Sequence, residues 1–168
     1  MAAQNDYKEV VKLLIDSGAN VNAVRDNGFT ALMLAAENGH EKVVKILLEN
    51  DANIDAALSN TEDTNGFTAL MLAAQNGHKK VVKLLLENGA NINASLSNTK
   101  NFNGFTVLMS AAYNGKKEVV KLLIKRGANV NAVRENGFTA LKSAQANGYT
   151  EIVELLIEAG IKGKDQKS

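Results

Sequence analysis

The stretch NGFTALMLAAENGHEKVVKILLEN, residues 27–50, decides the fold. It returns as NGFTALMLAAQNGHKKVVKLLLEN at 65–88, as NGFTVLMSAAYNGKKEVVKLLIKR at 103–126 and as NGFTALKSAQANGYTEIVELLIEA at 136–159. Self-similarity at a fixed period marks an array of one supersecondary unit. The marker glycines Gly28, Gly66, Gly104 and Gly137 stand 38, 38 and 33 residues apart. The unequal spacing comes from the loops that precede them. NAVRDNG (22–28) and NAVRENG (131–137) are short, whereas DAALSNTEDTNG (55–66) and NASLSNTKNFNG (93–104) carry five extra residues.

One unit can be read from its residue types. Thr30 is positioned to cap a helix that starts with the small apolar run ALMLAA. Asn38-Gly39 breaks that helix. EKVVKILLE, from Glu41 to Glu49, then places Val43, Val44, Ile46, Leu47 and Leu48 on a broad apolar stripe with lysines opposite. In the next unit Gly89 follows the second helix, where a residue of positive φ ends it, and Gly18, Gly127 and Gly160 stand at the same place in theirs. Each unit is therefore a short helix, a tight turn, a longer helix and an extended loop. One pair cannot bury both helix faces, so the pattern must recur.

This unit resembles an ankyrin repeat. The likeness rests on GFTALMLAAENGHEKVVKILLENDANIDA from Gly28 and GFTALMLAAQNGHKKVVKLLLENGANINA from Gly66, and it covers nearly the whole chain. The resemblance implies an all-α solenoid of antiparallel helix pairs with projecting β-hairpin loops. It also implies that the chain binds another protein through those fingers and the groove of the first helices, without catalysis. Departures touch stability more than fold: the family's proline is Ala31, Ala69, Val107 or Ala140, and Asp51 stands where glycine is usual. The units run from 23 to 55, 56 to 93, 94 to 131 and 132 to 163, after a partial repeat at 1–22 and before a polar tail at 164–168. Beginning near the end of a first helix suggests a fragment of a longer array or a trimmed chain. Ser143, Gln145, Thr150 and the tail IKGKDQKS suggest a polar terminal cap.

The bulk composition narrows the partners. The chain has 168 residues, a formal net charge of +1, 45% apolar and 22% charged residues, as in a soluble folded domain. A near-neutral balance gives no reason to expect nucleic acid or a membrane as partner. No apolar run reaches the length of a membrane span. Absence of cysteine excludes disulfides and thiolate chemistry and points to a reducing, cytoplasmic compartment. The sequon Asn93-Ala94-Ser95 reads as chance in such a chain. Proline is absent, arginine is confined to Arg25, Arg126 and Arg134, and asparagine is abundant, a bias attributable to codon usage.

Chemistry-bearing motifs are missing, so neither a metal nor a cofactor is expected. The histidines, His40 and His78, occupy equivalent positions, and the resemblance implies a structural hydrogen bond for each. Asn114-Gly115-Lys116-Lys117 lacks the earlier glycine and the Ser or Thr of a phosphate loop. Glu62-Asp63 sits on a loop with no cleft to raise a carboxyl pKa.

Three columns could carry binding. Phe29, Phe67, Phe105 and Phe138 follow the marker glycines and would ladder along the groove at the spacing of stacked helices, about 10 Å. They form either a docking strip with Glu37, Gln75 and Tyr113, or packing for the finger stems. Lys12, Lys45, Lys83 and Lys121 read as a solvated outer face. The long fingers share ALSNT and SLSNT but differ at their tips, where Glu62 and Asp63 are acidic while Lys100, Asn101 and Phe102 are basic and aromatic. The shared part reads as structure, with Leu58 against Leu96, and the divergent part as recognition. Neutral insertion is the alternative, since long surface loops cost little.

The expectation is a monomeric, non-catalytic protein-binding module. The alternatives are a targeting domain of a larger enzyme or effector, and an engineered scaffold.

Overall fold

The computed structural model describes residues 1–58, 66–96 and 103–165. After a 3-10 turn at Ala3–Asn5 come α1 (Lys8–Asp16), α2 (Ala31–Glu37), α3 (Glu41–Glu49), α4 (Ala69–Asn76) and α5 (Lys79–Glu87). Then follow α6 (Val107–Tyr113), α7 (Lys117–Lys125), α8 (Ala140–Ala146) and α9 (Thr150–Asp165). The helices α2, α4, α6 and α8 stack on one another as an inner layer, and α1, α3, α5, α7 and α9 as an outer layer. Each inner helix also packs on the outer helix that follows it. The result is the helix-pair solenoid expected.

Local chemistry sets the helix ends. The hydroxyls of Thr30, Thr68, Thr106 and Thr139 accept from the backbone N–H three residues on, at 3.2, 3.3, 3.2 and 3.1 Å. This satisfies one of the four orphan donors at each inner helix start. Outer helices close by a paired backbone motif. Ala52 N–H donates to Leu47 and Asp51 N–H to Leu48, with the same pairs at Gly18, Gly89 and Gly127. That motif needs a left-handed residue. Gly18, Gly89 and Gly127 have φ of 85°, 91° and 87°, and Asp51 adopts 60°. A Cβ at any of those three glycines would meet nothing within 4 Å, so backbone conformation alone selects glycine there.

Asp6 is a second such residue, at φ 58°, and the sequence reading missed it. Asn5-Asp6 lies in register with Asn38-Gly39. Gly160 corrects the reading in the other direction. It was aligned with the helix-ending glycines, yet it lies inside α9, which runs on to Asp165. The supposed polar tail thus begins as helix, and Ser143, assigned to a polar cap, is fully buried with its hydroxyl donating to the Thr139 carbonyl at 2.9 Å.

The core is one continuous cluster. Val43, Val44, Val81, Val82, Val119 and Val120 are all buried, with Leu47, Leu85 and Leu123 one turn on. Burying each such side chain contributes about 1.5–3 kcal/mol. Leu58 and Leu96 from the long-finger stems join the same cluster.

Asparagine has structural work in this fold, which corrects its attribution to codon usage. Asn38, Asn76, Asn114 and Asn147 donate from Nδ2 to carbonyls four residues back, at 2.8–2.9 Å, at the inner helix ends. A second column joins neighbours. Asn22 Oδ1 accepts from Asn53 N–H at 2.7 Å, Asp55 Oδ1 from Asn91 N–H at 3.1 Å and Asn93 Oδ1 from Asn129 N–H at 2.9 Å.

Candidate protein-binding surface

Each finger closes on the same two backbone bonds whatever its length. Arg25 N–H donates to Phe29 O and Gly28 N–H to Arg25 O; Arg134 repeats this with Phe138 and Gly137. In the long fingers Leu58 pairs with Phe67 and Gly66, and Leu96 with Phe105 and Gly104. The extra residues therefore fall wholly beyond the closing pair. Among the described residues, strand pairing at the stems is limited to the isolated antiparallel bridges Val24–Thr30, Ala57–Thr68 and Ser95–Thr106. The tip residues Glu62, Asp63, Lys100, Asn101 and Phe102 lie outside the described residues.

The phenylalanine column is mostly inside. Phe105 is buried, Phe29 and Phe67 are half-buried against the core, and Phe138 is half-buried. The Arg134 guanidinium lies 5.5 Å from the Phe105 ring centroid, a cation–π distance. Phe105 thus offers little surface to a partner. This arrangement favours packing over docking for that residue.

The other inner column faces outward. Glu37 and Tyr113 end α2 and α6, and Gln75 is next to last in α4. Glu37 and Gln75 are half-buried, while Tyr113 is 51% exposed. The five residues before each are buried in all three helices. Two exposed valines at the finger stems were not singled out from the sequence: Val24 is 60% and Val133 62% exposed. They sit inside the repeated NAVR, which reads as structural and hides them.

The outer face is charged and internally paired. Lys45 meets Glu49, Lys83 meets Glu87 and Lys121 meets Glu118 at 3.7, 3.8 and 3.5 Å. Between repeats, Lys79 Nζ donates to Glu118 at 2.9 Å, Arg126 to Glu87 at 3.0 Å, and Lys117 to Glu151. The Lys79 hydrogen bond holds the Glu118 carboxyl below its usual range, and Lys117 does the same for Glu151. Glu151 in turn raises Lys117.

The histidines serve the stack. His40 Nε2 bonds the Gln4 carbonyl at 2.8 Å, and His78 Nε2 the Glu37 carbonyl at 2.9 Å. A carbonyl only accepts, so Nε2 carries the proton in both. Among the described residues no group of three His, Asp or Glu side chains could hold a metal ion. Nor is any described helix long and apolar enough to cross a membrane.

The fold is thus a stack of capped helix pairs with fingers at every junction, the class of repeat solenoids. A family model described as "Ankyrin repeats (3 copies)" matches residues 1–96 and again 94–167, and the chain belongs to the ankyrin repeat family. Such repeats are generally protein–protein interaction modules. A search of curated proteins finds no match to the sequence.

Proposed function

We propose that this chain is a non-catalytic module that binds a partner protein through its finger tips and the inner-helix groove. One observation carries the reading. The first three inner helices repeat their buried positions closely, Ser110 in place of Leu34 and Leu72 being the main change, and they diverge at the helix end that borders solvent. That column reads Glu37, Gln75, Tyr113 and Ala146, half-buried at the first two and exposed at the last two, next to Ala35-Ala36, Ala73-Ala74 and Ala111-Ala112, with Ala144-Gln145 in the last repeat. A scaffold kept constant under a varied surface is what recognition by a repeat array requires. Tyr113 is the natural anchor, a rigid amphipathic ring of the type that dominates interface energetics.

In this reading Glu62, Asp63, Lys100, Asn101 and Phe102 supply the tip contacts, with Phe29, Phe67 and Phe138 along the edge and Phe105 supporting them from below. The compartment is cytoplasmic, and one copy of the chain contains the whole binding surface. The ion-paired outer lysines take no part.

The test replaces Glu62, Asp63, Lys100 and Phe102 together by Ser or Gly. Helical circular dichroism should not change. Affinity for a partner captured from source-cell lysate should fall by at least about 2 kcal/mol, the size of a hot-spot loss. Unchanged affinity moves the interface to the Tyr113 column, and loss only on substituting Lys45 and Lys83 rejects the reading.

A further inference from the structure

Nine of the 13 glycines follow an asparagine. In an Asn-Gly pair the glycine nitrogen can attack the asparagine Cγ, since no Cβ stands in the way. The glycine N–H proton goes to a base in solvent and the N–Cγ bond forms. The Cγ–Nδ2 bond breaks and ammonia leaves, so that a cyclic imide remains. Water then opens the imide at either carbonyl, giving aspartate or isoaspartate. A neutral carboxamide becomes a carboxylate with no oxidant or reductant. Attack requires that the carboxamide lie over the glycine nitrogen and that its N–H be released from any acceptor.

At three inner helix ends the fold holds the reacting groups apart. Asn38, Asn76 and Asn114 donate from Nδ2 to the carbonyls of Leu34, Leu72 and Ser110 at 2.8, 2.9 and 2.9 Å. Those carbonyls lie one turn back, so Cγ is drawn away from the glycine ahead. The N–H groups of Gly39, Gly77 and Gly115 donate to Ala36, Ala74 and Ala112 at 3.3, 3.2 and 3.3 Å. A side chain of the next repeat also covers each of these glycines. A Cβ there would lie 2.5 Å from His78, 3.0 Å from Lys116 and 2.7 Å from Tyr149 respectively. Attack therefore needs two hydrogen bonds broken and the junction between repeats opened.

The short fingers use the same dipeptide the other way round. Asn27 and Asn136 are exposed, and each engages the backbone through Oδ1. Asn136 Oδ1 accepts from Phe138 N–H at 3.1 Å, and Asn27 Oδ1 from Phe29 N–H at 3.4 Å. A side-chain oxygen that accepts two residues on lays its carboxamide along the peptide between, whose nitrogen is the glycine's. One bond then remains to open, from Gly28 N–H to Arg25 O or from Gly137 N–H to Arg134 O, each 2.8 Å long. A Cβ on Gly137 would have only Lys142 Nζ nearby, at 3.9 Å. Opening an exposed turn costs less than opening a packed junction.

We propose that Asn27 and Asn136 are sites of spontaneous deamidation through a cyclic imide, and that the fold spares Asn38, Asn76 and Asn114. Aspartate at either finger keeps an oxygen to accept from the phenylalanine N–H. The turn then survives with one more negative charge, next to Asp26 or Glu135. Isoaspartate inserts a methylene into the main chain inside the closing pair Arg25–Phe29 or Arg134–Phe138, and the finger changes shape. Aspartate at an inner helix end would instead lose the donor to the preceding turn. The reactive asparagines are thus those whose acceptor role the product can fill. The chemistry does not depend on any partner.

Peptide mapping by mass spectrometry tests it, on the folded chain and on the chain unfolded in urea, both held in the same mildly alkaline buffer. In urea all of these asparagines should convert at similar rates. In the folded chain Asn27 and Asn136 should convert within about tenfold of the urea rate, while Asn38, Asn76 and Asn114 should be slowed at least about a hundredfold. Each finger site should yield separate aspartyl and isoaspartyl peptides, the mark of the imide. Asn27→Gln should abolish conversion at that finger and leave Asn136 unchanged. Finger sites slowed as much as the helix ends, helix ends that convert as fast as the fingers, or aspartate formed without isoaspartate would each overturn the proposal.

Discussion

Asp51 holds a left-handed backbone at φ 60° in a motif that elsewhere uses glycine. Aspartate visits that region at a cost, and its charge sits at the negative end of the α3 dipole beside Glu49. Asp51→Gly should therefore stabilise the fold by about 0.5–1.5 kcal/mol, read from the urea midpoint. A lower midpoint would show that Asp51 makes a contact worth more than the strain. Proline absence gives a second prediction. Ala31 is the first residue of α2, after Thr30 at φ −91° and ψ 166°, an extended geometry that proline tolerates before it. Ala31→Pro should stabilise by about 0.4–1 kcal/mol through the unfolded chain. Val107→Pro should not, because the Val107 N–H donates to Ala94 O at 3.3 Å. Equal gains in denaturation experiments at both sites would contradict this. At this scale the threonine caps and Asp51 were legible because four copies of the motif could be compared. Asp6 was not, because its repeat is partial and no marker glycine precedes it.

Helices were legible as elements because their apolar stripes alternate with Asn-Gly breaks. The end of α9 was not, since an isolated glycine is tolerated inside a helix at a cost and Gly160 alone does not mark where α9 stops. Asparagine columns were also illegible, because a carboxamide's partner lies either one helix turn back or one repeat away. Between elements, Glu118 and Glu151 are held below the ordinary carboxyl value of 4.5 by Lys79 and Lys117. A lowered folded value means stability present above the unfolded value and lost as pH falls through the folded one. The melting temperature should then begin to drop as pH passes below 4.5, less steeply in Glu118→Gln/Glu151→Gln. Both carboxylates are solvent-exposed, so the difference between the two profiles should shrink in high salt. Identical profiles at low salt would mean the bridges are not formed in solution.

Over the whole molecule, the repeat period determined the architecture, while the surface required coordinates. Glu37, Gln75 and Tyr113 differ in the sequence, but only burial shows that Tyr113 is exposed and Phe105 is not. The long fingers divide in the same way: the closing bonds of their stems match those of the short ones, so the scaffold is the same whatever the length of the loop between them. Recognition on that side is the central claim. Amide hydrogen exchange on the complex with a captured partner tests it most directly. Slowed exchange should map to the fingers at 55–67 and 93–105 and to the ends of α4 and α6, with α3, α5 and α7 unchanged. Protection confined to the outer helices or to the two end faces would contradict the account.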